Sequence, residues 1–151
     1  MERYSELLRE INTVCIDFHG VLTNGKINVA ANGATHYECV HVKDISAMRE
    51  LAARGYEVYV VTSSNSPIID AFCKKVGCVK IESRIKDGVM KGRKYIAIGD
   101  SSFDYQFLLE AELAFCPADA EDLLLNDSKI KTLQTRGGEG CVYEILRLIL
   151  Q

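Results

Sequence analysis

The chain has 151 residues, of which 48% are hydrophobic and 26% charged, the size and make-up of one globular domain, expected to span 1–151. A net charge of −3 and a pI near 5.6 argue against a nucleic-acid surface or a polybasic membrane patch. No apolar run approaches the roughly 18 residues of a membrane-crossing helix. The start, Met1-Glu2-Arg3-Tyr4-Ser5-Glu6, lacks a signal-peptide core, and the six cysteines include no Cys-x-x-Cys pair. Buried, reduced thiols in a cytoplasmic protein without structural zinc are expected.

In chain order, Leu7, Leu8 and Ile11 predict a helix over 2–11. Thr13 to Ile16 form a β-branched and apolar run closed by Asp17 and Gly20, the pattern of a buried parallel strand with a carboxylate at its exit. Asn32-Gly33, between strand-like runs 26–31 and 35–42, predicts an inserted β-hairpin, with His36 and His41 as exposed strand residues. A helix over 43–54 and a strand over 57–61 follow, the strand exiting into Thr62-Ser63-Ser64. Ser66-Pro67 opens a helix to Val76, and a strand spans 78–81. The polar stretch 82–93, holding Lys86 and Lys91, reads as a loop or a single helical turn. A strand over 94–98 then exits at Gly99-Asp100, with Asp104 four residues on. A helix over 103–110, a strand over 113–116, a helix opened by Pro117-Ala118-Asp119-Ala120, an edge strand over 130–133 and a helix over 141–150 complete the chain. Alternating strands and helices imply an α/β doubly wound parallel sheet.

Carboxylates at the exits of two strands, joined by a strand-end hydroxyl, are poorly explained by packing. Such carboxylates repel in one crevice and call for a cation, and an all-oxygen ligand set suits Mg²⁺. Asp17-Phe18-His19-Gly20-Val21-Leu22-Thr23, Thr62 and Gly99-Asp100 to Asp104, in that order, resemble the motifs of the haloacid dehalogenase-like (HAD-type) phosphohydrolases. Gly20 to Gly25, the inserted hairpin at about 25–42, Val42-Lys43-Asp44, Pro117 to Ala120 and Gly137 to Gly140 extend the resemblance over the whole chain. The branch it resembles is that of the 3-deoxy-manno-octulosonate 8-phosphate phosphatases, with the C-terminal domains of some sialic acid cytidylyltransferases.

The resemblance implies a Rossmann-like fold and a Mg²⁺-dependent phosphatase acting on a small phosphorylated sugar or keto-sugar acid. It implies a homotetramer built through the hairpins, while the net charge and the short apolar runs leave no nucleic-acid or membrane partner expected. Asp17 becomes the nucleophile that forms an aspartyl-phosphate. Mg²⁺ is held by Asp17, Asp100 and the backbone carbonyl of His19. Thr62, Ser63 and a lysine, Lys86 with Lys91 behind it, hold the phosphate, while Asp104 orients Asp100 or the lysine. The chain departs from the pattern in three places. His19 stands where the family has its acid–base aspartate, and Tyr143 where it has an arginine associated with the substrate's acid group. Lys86 lies only thirteen residues before Gly99, where the family fits a whole helix. The competing reading is a weakly active or inactive oligomerisation module.

Overall fold

The computed structural model describes residues 4–35 and 37–150. Its centre is a six-stranded parallel sheet in the order β3-β2-β1-β4-β5-β6. The strands are β1 (Thr13–Ile16), β2 (Glu57–Thr62), β3 (Val79–Glu82), β4 (Tyr95–Ile98), β5 (Leu113–Cys116) and β6 (Ile130–Thr132). β1 and β4 are buried along their whole length, which is why they read as unbroken apolar runs, whereas the edge strand β3 has no fully buried residue.

Alternate residues feed two cores. Val14 and Ile16 pack with α2 (Val42–Ala53), α3 (Pro67–Val76) and α6 (Cys141–Ile149). Cys15 packs with α4 (Tyr105–Glu110) and α5 (Asp122–Leu125) on the other face. The expected α/β doubly wound sheet is therefore present. Strand order reverses between β1 and β4, and the carboxyl ends of those two strands deliver Asp17 and Asp100 to one crevice.

Four local expectations are corrected. The first helix, α1, covers only Ser5–Leu8, and the chain continues to Ile11 through i→i+3 turns such as Glu10 N to Leu7 O at 3.3 Å. The inserted segment is not a full hairpin. Among the described residues its ladder is a single antiparallel bridge, Val29 to Thr35. Asn32 does not take the positive φ of a two-residue turn; instead Gly33 N–H donates to Ala30 O and Ala30 N–H to Ala34 O, a three-residue loop. A two-stranded ribbon with no third strand is marginal on its own, so alternation here does not develop into a ladder.

His41 is not a strand residue. Its Nδ1 accepts from Lys43 N–H and caps α2, which starts at Val42. His36 lies outside the described residues. Finally, Pro117 to Ala120 form a turn, and α5 begins only at Asp122. Ala118 N–H donates to Thr135 O and Glu121 N–H to Asp100 O, so distant carbonyls take the donors a helix there would leave free.

Two contacts anchor the last helix, one to α2 and one to the loop after β1. Asp44, fully buried in the first turn of α2, accepts Tyr143 N–H at 3.0 Å, joining the starts of α2 and α6. Burial pushes its carboxyl up to about 6, against the two α6 amides that favour its charge. The turn before α6 lies on the loop after β1, with Gly138 N–H donating to Val21 O at 2.9 Å. A Cβ on Gly137 would stand 2.0 Å from the carbonyl oxygen of Gly20, so the two backbones meet only because residue 137 has no side chain. Gly137→Ala is expected to destabilise the fold by about 3 kcal/mol, lowering the melting temperature by roughly 5–10 °C. A thermal melt unchanged within error would contradict this packing.

Candidate active site

Asp17 follows the last residue of β1, with its N–H donating to Ile98 O at 3.1 Å. Its Oδ1 accepts from Phe18 N–H at 2.9 Å, which fixes the carboxylate at the start of the loop 18–22. That loop turns at Gly20, where φ is +88°. A Cβ there would lie 1.8 Å from Asp100 Oδ2, so Asp100 fills the space that any other residue would occupy. Thr23 closes the loop: its Oγ1 accepts from Gly20 N–H at 3.3 Å and Gly25 N–H at 3.1 Å.

Lys86 reaches into the crevice from the connection between β3 and β4, and its side chain is buried despite its charge. Its Nζ lies 2.9 Å from Asp17 Oδ1 and 2.5 Å from Asp104 Oδ1. The short segment places the lysine without a helix. Successive i→i+3 turns run from Lys86 to Arg93, Met90 is buried, and Gly88 N–H donates to Glu110 Oε2. Lys91 is exposed and does not line the cavity.

Asp104 is buried, with both carboxylate oxygens engaged. Oδ1 meets Lys86, and Oδ2 accepts from the N–H groups of Asp100 at 3.0 Å and Ser101 at 3.3 Å. It therefore holds both the lysine and the backbone of Asp100. Thr62, buried at the end of β2, accepts Ser64 N–H at 3.1 Å, and with exposed Ser63 forms the opposite wall. Asp17, His19, Gly25, Thr62, Ser63, Lys86, Asp100, Ser101 and Phe103 line one cavity of about 260 Å³. Tyr143 does not; it stands on α6 between Lys43 and Arg147, 5.5 and 5.8 Å from its ring.

Oxygens of Asp17, Asp100 and Asp104 lie within 4.8 Å of one another. Burial, then the charge of Asp104, pushes the Asp17 carboxyl well above its ordinary range despite Lys86. Burial likewise raises Asp100. For Lys86 burial works against the charge, but Asp17 and Asp104 outweigh it and keep the ammonium protonated. One cation among three carboxylates, Asp104 buried and Asp17 and Asp100 half-buried, leaves a negative surplus, and the hard oxygen donors fit Mg²⁺. Asp17 and Asp100 are the candidates to hold it, because Asp104 is already saturated.

The sign of the pH effect follows. A carboxyl raised in the folded state favours folding while protonated, and that contribution is lost as pH climbs from the unfolded value towards the folded one. A bound divalent cation reverses the penalty. At 100-fold excess over its dissociation constant, Mg²⁺ is expected to add about 2.7 kcal/mol, or roughly 5–10 °C in melting temperature, at pH 7.5 and less than half of that at pH 4.5. Equal shifts at both pH values, or none, would contradict the site.

The sequence did not single out Glu38. It comes from the inserted segment, its side chain is 1% exposed, and its Oε1 lies 2.7 Å from His19 Nε2. The available signal was alternation: Tyr37 and Cys39 face outward, while Glu38 and Val40 turn inward, which puts a carboxylate on an apolar face. Phe103, 74% exposed at the cavity mouth, also went unremarked.

No protein-family profile matches the chain. In sequence it is 28% identical over 155 residues to the 3-deoxy-D-manno-octulosonate 8-phosphate phosphatase of Haemophilus influenzae, covering 95% of this chain and 85% of that protein. It is 24% identical over 145 residues to N-acylneuraminate cytidylyltransferase B of Danio rerio, covering 87% of this chain and spanning about a third (34%) of that protein. In structure it matches the cobalt-bound deoxy-D-mannose-octulosonate 8-phosphate phosphatase of H. influenzae with a TM-score of 0.86 at 29% identity, covering 95% and 90% of the two chains. The Moraxella catarrhalis 3-deoxy-D-manno-octulosonate 8-phosphate phosphatase, solved with magnesium, phosphate and KDO, superposes with a TM-score of 0.87 at 22% identity over 99% and 91%. The chain is a homologue of the 3-deoxy-manno-octulosonate 8-phosphate phosphatases and has the HAD-like fold.

Proposed function

We propose that the chain is a single-domain, Mg²⁺-dependent phosphatase that removes phosphate from a small phosphorylated sugar or keto-sugar acid by way of an aspartyl-phosphate. The observation that carries this reading is the buried Asp17–Lys86–Asp104 cluster at the carboxyl ends of β1 and β4, open to a cavity walled by Thr62 and Ser63. An oligomerisation module has no use for a buried lysine held between two carboxylates, so the cluster favours the enzyme.

Asp17 attacks phosphorus as the sugar–oxygen bond to phosphorus breaks, and Lys86, Thr62 and Ser63 bind the phosphate oxygens. His19 gives a proton to the leaving alkoxide, then takes one from the water that attacks the aspartyl-phosphate, which releases phosphate and free Asp17. Bound Mg²⁺, on Asp17, Asp100 and the main-chain carbonyl of His19, supplies the positive charge that lets an anionic nucleophile meet an anionic phosphate. Asp104 keeps Lys86 and Asp100 in place throughout.

The names of the relatives make 3-deoxy-manno-octulosonate 8-phosphate the first substrate to try, while Tyr143 in place of the arginine leaves room for a different acid or a neutral sugar. Release of inorganic phosphate should be measured over a panel of hexose, pentose and eight- and nine-carbon keto-sugar-acid phosphates, with and without Mg²⁺. Mg²⁺-dependent release from at least one is expected; none from any would sink the reading.

The inserted segment exposes Ile27 (52%), Val29 (65%) and Tyr37 (60%), which an isolated chain leaves to water. They support a homotetramer joined through residues 26–42. Light scattering should give about four times 16.8 kDa at micromolar concentration, and a 16.8 kDa monomer would rule the assembly out. No helix among the described residues is long and apolar enough to cross a membrane.

A further inference from the structure

Among the described residues, one contact between charged or ionisable side chains joins the loop after β1 to the inserted segment, that between His19 and Glu38. The Glu38 side chain is 1% exposed, whereas His19 is 34% exposed and lines the catalytic cavity. Around Glu38 the surroundings are apolar: Phe18, Val40, Ile45, Ile68 and Phe72 share a cavity with it, and Lys75 also lines that space. Among the described residues no lysine or arginine comes within ion-pair range of Glu38. Its Oε1 lies in hydrogen-bond range of His19 Nε2, at 2.7 Å, but the pair is not aligned as a well-formed bond, and among the described residues no other donor reaches that oxygen.

A buried carboxylate oxygen needs a donor, and among the described residues one atom, His19 Nε2, is placed to give it. A proton on His19 Nε2, carried by the neutral or the charged ring, is the one that a small turn of the ring would bring onto Glu38. The Phe18 ring, edge-on to the imidazole with centroids 5.2 Å apart, limits the ring's swing from a second side.

We propose that Glu38 is the positioning residue of His19: its carboxylate holds the Nε2 proton and the ring plane, and leaves Nδ1 as the nitrogen that works in the reaction. This rests on the acid–base role proposed for His19. Nδ1 gives its proton to the leaving alkoxide as the bond from phosphorus to the sugar oxygen breaks. The ring is left as the Nε2–H tautomer, held by Glu38. When water attacks the aspartyl-phosphate, its proton goes to Nδ1 and the starting state returns. Nε2 keeps its proton through the whole cycle. The inserted segment thus contributes a side chain to the catalytic apparatus of its own chain. Residue 19 and residue 38 also belong together chemically, since a carboxylate at 19 would face a buried carboxylate at 38.

The test combines imidazole ¹⁵N NMR with steady-state kinetics, His19 being assigned by the signal lost in His19→Ala. In the wild type the neutral ring of His19 should be the Nε2–H tautomer. Glu38→Ala should give a mixture of tautomers and cut kcat about tenfold, part of the roughly 10²-fold or more that acid–base catalysis supplies, with KM within twofold. Glu38→Gln, whose carbonyl still accepts the Nε2 proton, should keep the tautomer and most of the kcat. In a His19→Ala background, Glu38→Ala should have no further effect. An unchanged tautomer and kcat in Glu38→Ala would overturn the proposal, as would an equal loss with and without His19. If His19→Ala itself keeps wild-type kcat, the acid–base role falls, and the tautomer of Glu38→Ala still decides separately whether Glu38 sets the ring.

Discussion

Replacing Asp17 with asparagine is expected to lower kcat by about 10⁴-fold or more while leaving the fold in place, because a nucleophile that acts with its partners as one unit cannot be spared. The amide is nearly isosteric and can still accept the Phe18 N–H at the exit of β1. Lys86 stays paired with Asp104 at 2.5 Å, so the buried ammonium is not orphaned. Loss of the Asp17 charge also relieves its repulsion with Asp100 and Asp104, which burial makes costly. Stability should therefore stay within about 1 kcal/mol of wild type. The check is steady-state phosphate release alongside a thermal melt. Turnover within tenfold of wild type would remove Asp17 as the nucleophile, and a collapsed melt would mean that its role in the fold had been misjudged.

Lys86→Ala should damage both rate and stability. It takes away the sole cation among the described residues that pairs with Asp17 and Asp104, leaving two carboxylates in a buried site. Breaking a buried pair from one side costs up to about 3–5 kcal/mol, and uptake of a proton by Asp17, already favoured by burial, offsets part of that. A loss of roughly 2 kcal/mol is expected, with kcat down by about 10²–10³-fold through the missing phosphate contact. Lys91→Ala is the control: Lys91 is exposed, so neither quantity should move. The reverse pattern, loss in Lys91→Ala and none in Lys86→Ala, would reassign the lysine.

The parts of the molecule that could be read from the sequence are those whose signal is local. β1 and β4 are buried on both faces, so Thr13 to Ile16 and Tyr95 to Ile98 stand out as apolar runs, and the aspartates that end them must lie where the sheet meets the crevice. Ser66-Pro67 and Gly77 bracket α3 in the same local way.

The failures share a different cause. Pro117 to Ala120 have the composition of a helix start, but Thr135 and Asp100, distant in sequence, capture the donors at 118 and 121. The chain does reverse at Asn32-Gly33, through a three-residue loop, but strands on either side need partners that the local sequence does not contain. Lys86 could be ranked above Lys91 but not placed, because Met90 burial and the Asp104 contact put it in the crevice, and neither leaves a periodic trace. Glu38 was missed for the same reason. Its role is visible only once the loop after β1 and the inserted segment are seen together.

The most direct test of Asp17 as a Mg²⁺-assisted phosphoryl acceptor needs no knowledge of the substrate. Beryllofluoride bonds to a carboxylate as a mimic of an acyl-phosphate, and ¹⁹F NMR reports bound and free fluoride separately. With Mg²⁺ present, the wild-type protein should show protein-bound fluoride resonances that disappear when Mg²⁺ is withheld and are absent from Asp17→Asn. Bound resonances that persist unchanged in Asp17→Asn, or a wild type that forms none at saturating beryllofluoride and Mg²⁺, would contradict the account.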